Sequence, residues 1–128
     1  MTNSFIDLVI RIKNGYMAQK DSIVVYRSKL NEEVLKKLKS LQYIKDYTES
    51  NDSKYSFDVT LNYNDGVPAL TDVQVYSKPG RRYYVSYKEL TPVIGGMGWS
   101  IISTPKGILT NTEAKKAKMG GELLFNIW

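Results

Sequence analysis

Two side chains with distinctive chemistry are missing from this 128-residue chain, which contains neither cysteine nor histidine. Without cysteine, disulfide bonds and thiolate metal sites are excluded. Without histidine, the commonest general base and transition-metal ligand is also missing. An enzyme built on this sequence would have to rely on carboxylates or lysine. We therefore expect a protein that is not an enzyme and that needs no metal, cofactor or small-molecule substrate.

Long apolar runs are also missing, since a membrane-spanning helix requires about 20 consecutive apolar residues. The amphipathic N-terminus does not resemble a signal peptide, because Asp7 and Arg11 interrupt its apolar residues. We expect no membrane partner. The protein should act where it is made, in the cytoplasm, or in the matrix or stroma of an organelle that encodes it.

The net charge of +5 is concentrated at one end of the chain. Residues 1–76 contain ten Lys or Arg and ten Asp or Glu, whereas residues 77–128 contain eight Lys or Arg and three Asp or Glu. A basic region confined to one part of a chain is typical of nucleic-acid binding. A soluble protein with a slightly basic surface has a similar composition, so charge alone leaves both alternatives open.

Apolar periodicity in the first half predicts alternating helices and strands. The predicted elements are a helix over residues 4–16, a strand over Ser22–Tyr26, a helix capped by Asn31, and strands over residues 43–49 and 55–63. This α-β-α-β-β order predicts a small sheet with two helices on one face. The first half therefore reads as an N-terminal α+β domain, residues 1–64.

The Asn64–Gly66 turn is expected to end that domain, and residues 65–128 form the second. Helix patterns become scarce there, which predicts a mainly β domain with short helices. Strands are expected at Val73–Tyr76, at Trp99–Ile102, at Ile108–Leu109, from Arg81 onwards and at Leu123–Trp128, with a helix over Thr112–Lys118. The Gly95–Gly98 segment lacks the residue order and the lysine of a phosphate loop, so we expect a tight connection. The fold class is α+β.

A Pro-Gly turn followed by arginine and tyrosine is the first candidate site. Ser77–Gly80 suits a type II turn and leads into Arg81, Arg82, Tyr83 and Tyr84. These side chains can contact phosphate and stack on bases, or they can form an exposed strand end over a tyrosine core. We favour RNA contact, because this half of the chain carries the net charge.

The most informative stretch is residues 98–122. Ser103 and Thr104 enter a Pro105–Gly107 turn, where hydroxyls and reachable amides can read a ribose, a phosphate or a base edge. They can equally cap their own turn. A short lysine-rich helix follows, and Gly120–Gly121 permits close backbone approach. This stretch therefore predicts a cationic surface built from turns and backbone.

The residue order of this stretch resembles the signature of the bacterial-type small-subunit ribosomal protein eight family. The matching residues are Gly98, Ile101–Ile102, Ser103–Thr104, Gly107, Ile108–Leu109 and Ala114–Lys115. Further matches are Asp7, Arg11–Gly15, Ser28–Leu30, Ser77–Gly80, Arg82, Tyr84 and Gly120–Glu122, so the resemblance covers nearly the whole chain. Two positions depart from the family pattern: Pro105 stands where serine is common, and Asn111 where aspartate is frequent.

The resemblance implies a structural constituent of the small ribosomal subunit. Such a protein is expected to bind the central domain of the small-subunit rRNA directly and to help assemble the platform. It further implies contacts with neighbouring small-subunit proteins, notably those numbered five and twelve. In the family, the C-terminal lobe grips an irregular RNA helix through the Ser-Thr turn and the residues around Gly-Gly-Glu, and the N-terminal lobe touches neighbouring rRNA.

Composition and resemblance together yield a set of expected RNA-binding residues. In the C-terminal domain these are Lys78, Pro79, Gly80, Arg81, Arg82, Tyr84, Ser103, Thr104, Lys106, Gly107, Lys115, Lys116, Lys118, Gly120, Gly121 and Glu122. In the N-terminal domain they are Arg11, Lys13, Asn14, Ser28 and Lys29. Arg11 and Lys13 can alternatively complement the dipole of the first helix.

Two alternatives from other classes remain open at this point. A carboxylate-based RNA-modifying or hydrolytic enzyme is disfavoured, because the acids Asp7, Asp46, Asp58 and Glu122 are dispersed without paired-acid or metal-ligand spacing. An extraribosomal RNA-binding module, or a translational repressor that binds the mRNA of its own operon, is the other alternative.

Overall fold

The structure, a computed structural model, describes residues 4–51 and 53–128. The chain divides into two compact units, the first ending at Leu70 and the second spanning Thr71–Trp128. The sequence places the change of domain a few residues earlier, after residue 64. The intervening residues belong with the first unit, because Tyr63–Asn64 pairs with Val67–Pro68 in a short hairpin.

The first unit has the predicted α-β-α-β-β order followed by that hairpin. Its elements are α1 (Ser4–Met17), β1 (Ser22–Tyr26), α2 (Lys29–Ser40), β2 (Ile44–Glu49), β3 (Ser56–Leu61), β4 (Tyr63–Asn64) and β5 (Val67–Pro68). The antiparallel sheet has the order β1-β3-β2. Both helices pack against this sheet and against each other. Alternation in β3 points Phe57, Val59 and Leu61 into the core, where all three are buried.

A buried hydroxyl connects α1 to the rest of this unit. The Tyr16 hydroxyl donates a 2.6 Å hydrogen bond to the Tyr43 carbonyl and accepts one of 2.9 Å from the Asn62 amide. Burial raises the pKa of this hydroxyl, an effect that the bond from Asn62 partly opposes. The hydroxyl thus satisfies two backbone groups that the interior would otherwise leave unpaired.

The start of α2 differs from the prediction. Ser28, and not Asn31, is the N-cap: its backbone is extended and its hydroxyl accepts a 3.0 Å hydrogen bond from the Asn31 amide. Asn31 lies inside the first turn, only 1% exposed, and its side-chain amide donates to the Tyr26 carbonyl at 2.9 Å. Both residues are good caps, and the cap must precede the amide that it accepts from by two or three residues.

The second unit is mainly β, as predicted. Its elements are β6 (Val73–Val75), β7 (Tyr84–Val85), β8 (Trp99–Thr104), β9 (Gly107–Thr110), α3 (Asn111–Lys116) and β10 (Gly121–Ile127), with 3-10 turns at Tyr87–Glu89 and Ile94–Gly96. Antiparallel pairing gives the order β6-β10-β8-β9, and β7 also pairs with β10. Leu90, Ile102, Ala114 and Leu123 form a buried cluster under α3. The α+β fold class is therefore confirmed.

The start of α3 follows from its sequence. Thr110 caps α3 by accepting from the Glu113 amide at 3.2 Å, while the Glu113 carboxylate accepts from the Thr110 amide at 2.9 Å. This reciprocal pair is a capping box, and it starts the helix slightly before the predicted residue.

No helix in the part of the chain that the structure describes is long and apolar enough to cross a membrane.

Candidate nucleic-acid interface

Residues from three strands of the second unit line a shallow groove of about 480 Å³. They are Tyr84 and Val85 in β7, Ser103 and Thr104 at the end of β8 with Pro105 just after it, and Gly121 and Glu122 at the start of β10 with Gly120 just before it. We call this the three-strand groove. It brings together six of the sixteen RNA-binding residues predicted in the C-terminal domain, although they are dispersed along the chain.

The register of β10 creates the three-strand groove. Glu122 pairs with Ser103 on β8 and with Tyr84 on β7, and Gly121 pairs with Val85. Tyr84 is exposed, whereas Ser103 and Glu122 are half-buried. A hydroxyl, a carboxylate and an aromatic ring therefore meet at one place, which is a suitable set of groups for an unpaired nucleotide.

The two adjacent glycines allow this strand arrangement. A Cβ atom added at Gly121 would lie 2.1 Å from the Ser103 carbonyl oxygen, and one added at Gly120 would lie 2.4 Å from the Val85 carbonyl oxygen. Both obstacles are backbone atoms, so no side-chain movement could relieve the clash. The close approach that the sequence predicts here is thus made to the protein's own strands.

Thr104 and Ser103 differ in how they use their hydroxyl groups. The Thr104 hydroxyl donates to the Gly107 carbonyl at 2.8 Å and accepts from the Lys106 amide at 3.2 Å, so it caps its own turn. Gly107 has a φ of +109°, which favours glycine. Within the described part of the chain, the Ser103 hydroxyl has no hydrogen-bond partner. Ser103 is therefore the hydroxyl left available in the groove.

Pro105 lies at the wall of the three-strand groove and is exposed. Proline has neither a hydroxyl nor a backbone N–H. Compared with serine at this position, the groove therefore loses two hydrogen-bonding groups.

The Pro-Gly turn projects the arginines from the sheet. Lys78 and Arg81 exchange backbone hydrogen bonds of 3.1 and 3.0 Å around Pro79 and Gly80, and Gly80 has a φ of +76°. This is the geometry expected of a type II turn. The buried Ser77 hydroxyl accepts from the Tyr83 amide at 2.9 Å and secures the base of the segment. The predicted strand from Arg81 onwards is wrong at its start, because Arg81 closes the turn and β7 begins only at Tyr84.

Arg82 is held at the three-strand groove by Glu122. Its guanidinium lies 3.3 Å from the Glu122 carboxylate, and the two side chains are 44% and 20% exposed. Such a partly exposed pair adds little stability. Its effect is to place a planar cationic group beside the groove, where guanidinium geometry suits a phosphate.

The predicted lysines do not all lie at the three-strand groove. Lys106 follows Pro105 in the β8–β9 turn and is exposed. Lys115 and Lys116 line a separate groove beside α3, and Lys118 lies beyond that helix in a left-handed conformation with a φ of +54°. The predicted C-terminal site is thus divided between two surfaces.

Two of the predicted residues of the first unit, Arg11 and Ser28, have structural roles of their own. Arg11 forms a 2.8 Å ion pair with Asp7 and lies 5.5 Å from the centre of the Tyr26 ring. Arg11 and Asn14 line a cavity between α1 and β1. Ser28 caps α2, Lys29 is exposed, and Lys13 is half-buried.

Three of the four acids considered for an enzyme are bound to different cations. Asp7 pairs with Arg11, and Glu122 pairs with Arg82. Asp46 pairs with Lys39 at 2.9 Å, and the hydrogen bond from that lysine lowers the pKa of the Asp46 carboxyl. A general acid working near neutral pH needs the opposite shift. Among residues 4–51 and 53–128, no cluster of three or more Asp or Glu side chains is placed to hold a metal ion.

Sequence reasoning missed two contributors to the site. Val85 forms part of the groove and meets Gly120, and buried Ser77 supports the arginine segment. The Gly-Gly pair indicates a close approach, but only the strand register identifies β7 and β8 as the strands approached.

This α+β protein has two units, of which the second is cationic. The groove of the second unit presents hydroxyl, aromatic and guanidinium groups. These are the features of a structural RNA-binding protein. The family model described as "Ribosomal protein S8" matches residues 3–128. The chain belongs to the ribosomal protein S8 family, as its signature predicts. This is a family of structural ribosomal proteins, so the predicted class is confirmed.

Relatives of similar length support this assignment. The chain is 42% identical over 129 residues to "Small ribosomal subunit protein uS8" of Erythrobacter litoralis, covering 100% of this chain and 98% of that protein. It is 40% identical over 124 residues to "Small ribosomal subunit protein uS8c" of Tupiella akineta, covering 95% of each. A uS8 protein of Bartonella tribocorum is 40% identical over 130 residues, covering 100% of this chain and 98% of that protein. These three relatives are all named as small-subunit ribosomal proteins and give no support to the extraribosomal alternative.

Proposed function

We propose that this protein binds the central domain of the small-subunit rRNA through the three-strand groove and thereby helps assemble the platform of the subunit. The observation that carries the proposal is the meeting of Tyr84, Ser103 and Glu122 on three adjacent strands. Family membership supports the ribosomal setting. The groove supplies a physical basis for recognising an RNA feature.

The shape of the three-strand groove favours an irregular RNA helix over a regular duplex. A-form RNA hides its base edges in a deep, narrow major groove, whereas bulged or unpaired bases can be splayed out. The exposed Tyr84 ring offers a stacking surface, and the unpartnered Ser103 hydroxyl can donate to or accept from a base or ribose. A single displaced nucleotide is the feature that these groups fit.

Affinity is expected to come from cations on the segments that border the groove. Arg82 is fixed beside it by Glu122, Lys78 and Arg81 lie on the projecting turn, and Lys106 follows Pro105. If about four to six phosphates are neutralised in total, the log–log dependence of affinity on salt should have a slope of roughly −3 to −5. Phosphate contacts set the position of the RNA, and the groove selects its irregular feature.

The neighbours that we propose are the small-subunit proteins numbered five and twelve, which the family resemblance implies. In this setting the protein is located in the ribosome, either in the cytoplasm or in an organelle. The cationic second unit is the RNA-binding domain, and the first unit makes additional rRNA contacts near Arg11, Asn14 and Lys29.

A paired substitution tests the site. Ser103→Ala should lower affinity for a central-domain rRNA fragment by about 1–3 kcal/mol, the cost of leaving a polar partner unsatisfied. Protein stability should be nearly unchanged, because this hydroxyl has no partner within the described part of the chain. Filter binding measures the affinity, and Lys36→Ala, an exposed change on α2, is the matched control with almost no expected loss.

Thr104→Ala separates a structural loss from a recognition loss. It removes both hydrogen bonds of the β8–β9 turn, so it should lower stability by about 1 kcal/mol as well as weakening RNA binding. Equal affinities for the Ser103→Ala and Lys36→Ala proteins would refute the assignment of the groove.

The extraribosomal alternative predicts free protein after high-salt sedimentation, whereas our proposal predicts migration with small subunits.

A further inference from the structure

A second groove in the second unit lies outside the proposed rRNA site. It measures about 400 Å³, and Pro92, Gly96, Trp99, Lys115 and Lys116 are among the residues that line it. We call it the α3 groove. It shares no lining residue with the three-strand groove, so it needs a separate explanation.

An apolar loop stands beside the α3 groove. Met97 lies between Gly96 and Gly98, both of which line the groove, and its side chain is 79% exposed. Ile94, at the start of the same loop, is 54% exposed. Single exposed apolar residues are ordinary, but two large exposed apolar side chains in one short loop beside a groove form a candidate contact surface.

The backbone holds this loop in an unfavourable conformation. Ile94 has a φ of +49°, which is a genuine outlier for a β-branched residue. Three backbone hydrogen bonds of 2.9–3.1 Å maintain it: two to the Val93 carbonyl, from Gly96 and Gly98, and one from Met97 to the Ile94 carbonyl. Backbone strain that hydrogen bonds maintain is typical of binding sites. The same hydrogen bonds hold the Ile94 and Met97 side chains in a fixed geometry.

The charge of the α3 groove has one sign. Within the described part of the chain, its only charged lining residues are Lys115 and Lys116. The Lys115 ammonium donates to the Leu90 carbonyl at 3.4 Å, which keeps it at the groove. Glu113, on the same helix, directs its carboxylate to the Thr110 amide in the capping box. The groove therefore suits a ligand that carries negative charge.

We propose that the α3 groove and the Ile94–Met97 loop form a docking site for a protein segment with an apolar anchor next to Asp or Glu. An apolar side chain would cover Ile94 and Met97, and the carboxylates would face Lys115 and Lys116. Protein interfaces use methionine and aromatic residues at the core and place charge at the rim. An RNA strand could neutralise the lysines, but its sugar–phosphate backbone is a poor match for two aliphatic side chains. The inference rests on the proposed function in one respect, since the segment would belong to a neighbouring protein of the same subunit.

The absence of natural cysteine makes a site-specific test possible. Met97→Cys can be labelled with a benzophenone maleimide, incorporated into small subunits reconstituted from rRNA and the remaining proteins, and irradiated. We expect cross-links to one neighbouring protein, within a peptide that mass spectrometry shows to contain Asp or Glu near an apolar residue. Pro105→Cys, labelled in the same way, lies at the wall of the three-strand groove without removing a group assigned to RNA contact; it should cross-link to rRNA and serves as the control.

The outcomes separate this inference from the proposed function. Cross-links from Met97→Cys to rRNA, to a basic peptide or to nothing, alongside rRNA cross-links from Pro105→Cys, would overturn the docking site and leave the rRNA site standing. Failure of the unlabelled protein to enter subunits would overturn both.

A second variant tests the apolar anchor without relying on a probe at Met97. A probe at Thr112→Cys, inside the α3 groove, should label the same peptide. Adding Ile94→Asn and Met97→Ser should lower that yield at least about fivefold, whereas affinity for the rRNA fragment should stay within about twofold. Asparagine tolerates the left-handed backbone at position 94, so the loop should keep its shape. An unchanged cross-link yield would contradict the docking role of the loop.

Discussion

Gly121→Ala is the sharpest test of how the three-strand groove is built. The added methyl group would lie 2.1 Å from the Ser103 carbonyl oxygen and 3.0 Å from its carbonyl carbon, whereas ordinary contacts begin at 3.4 Å. Strands β8 and β10 would have to separate locally by the difference between 3.4 and 2.1 Å, about 1.3 Å. Gly121 also pairs with Val85, so β10 cannot move away from β8 without pressing on β7.

The expected cost combines two effects. Forcing a methyl group into a closely packed site costs about 1–3 kcal/mol. Weakening the adjacent β8–β10 ladder, where Glu122 pairs with Ser103, adds about 1 kcal/mol. We therefore expect Gly121→Ala to destabilise the second unit by about 2–4 kcal/mol.

Urea unfolding monitored by tryptophan fluorescence measures the stability of the second unit, because Trp99 and Trp128 both lie in that unit. Gly80→Ala is the matched control: its methyl group would meet open space, and only its positive φ would cost about 1–2 kcal/mol. Gly120→Ala should fall between the two, because its obstacle belongs to β7, a strand of only two residues that can shift more easily. If Gly121→Ala were no more destabilising than Gly80→Ala, the close strand approach that forms the groove would be refuted.

Two further predictions concern buried polar contacts. Asn111→Asp should destabilise the second unit by about 1–3 kcal/mol, because aspartate cannot donate the 3.1 Å hydrogen bond to the Thr91 carbonyl. Fluorescence-detected urea unfolding at neutral pH would measure this loss, and a variant as stable as the wild-type protein would contradict the prediction. Because burial raises the pKa of the Tyr16 hydroxyl above 10.0, its contribution to stability is complete below that pH and is lost as pH rises through the folded-state pKa. Tyr16→Phe should reduce the alkaline loss of stability, to which the buried Tyr43 hydroxyl with its raised pKa also contributes, and should cost about 1–2 kcal/mol at neutral pH. Far-ultraviolet circular dichroism would follow both effects, and an unchanged alkaline profile would contradict the assignment.

Elements specified by neighbouring residues were predictable. The limits of β1, Ser22–Tyr26, agree with the sequence because a short β-prone run is followed by a helix cap. The Lys78–Arg81 turn follows from proline and glycine at the two positions that a type II turn requires. In both cases the information lies within a few residues, so no tertiary contact was needed to predict it.

Features that depend on contacts with another helix or strand were not predictable. Ser28 and Asn31 are both capping residue types, and the contact of the Asn31 side chain with Tyr26 decides which of them caps α2. The partner strands of Gly120 and Gly121 depend on the register of β10, which is set by pairing across the whole sheet. Periodicity identifies the buried face of a strand, but it does not identify its neighbours.

The division of the charged residues also required the structure. Charge counting assigned Lys106, Lys115 and Lys116 to one basic region, and the sequence contains no sign that they belong to different surfaces. The fold places Lys115 and Lys116 on a helix above Leu90 and leaves Lys106 beside the three-strand groove. Net charge therefore points to the second unit of the protein, but it cannot define a site within that unit.

Most of the signature that identifies the family has a structural task in this fold. Ile101 and Ile102 are fully buried, as is Ala114, and Gly98 closely approaches the Ile127 carbonyl oxygen. Thr104 stabilises its own turn, which leaves Ser103 as the signature hydroxyl without a partner within the described part of the chain.

A strong match to the signature is therefore, above all, a match to the framework that holds the groove. Recognition in the proposed function depends on the few groups that this framework leaves available, and Pro105 reduces their number. For that reason Ser103 should contribute a larger share of specific affinity here than it would beside a serine at position 105.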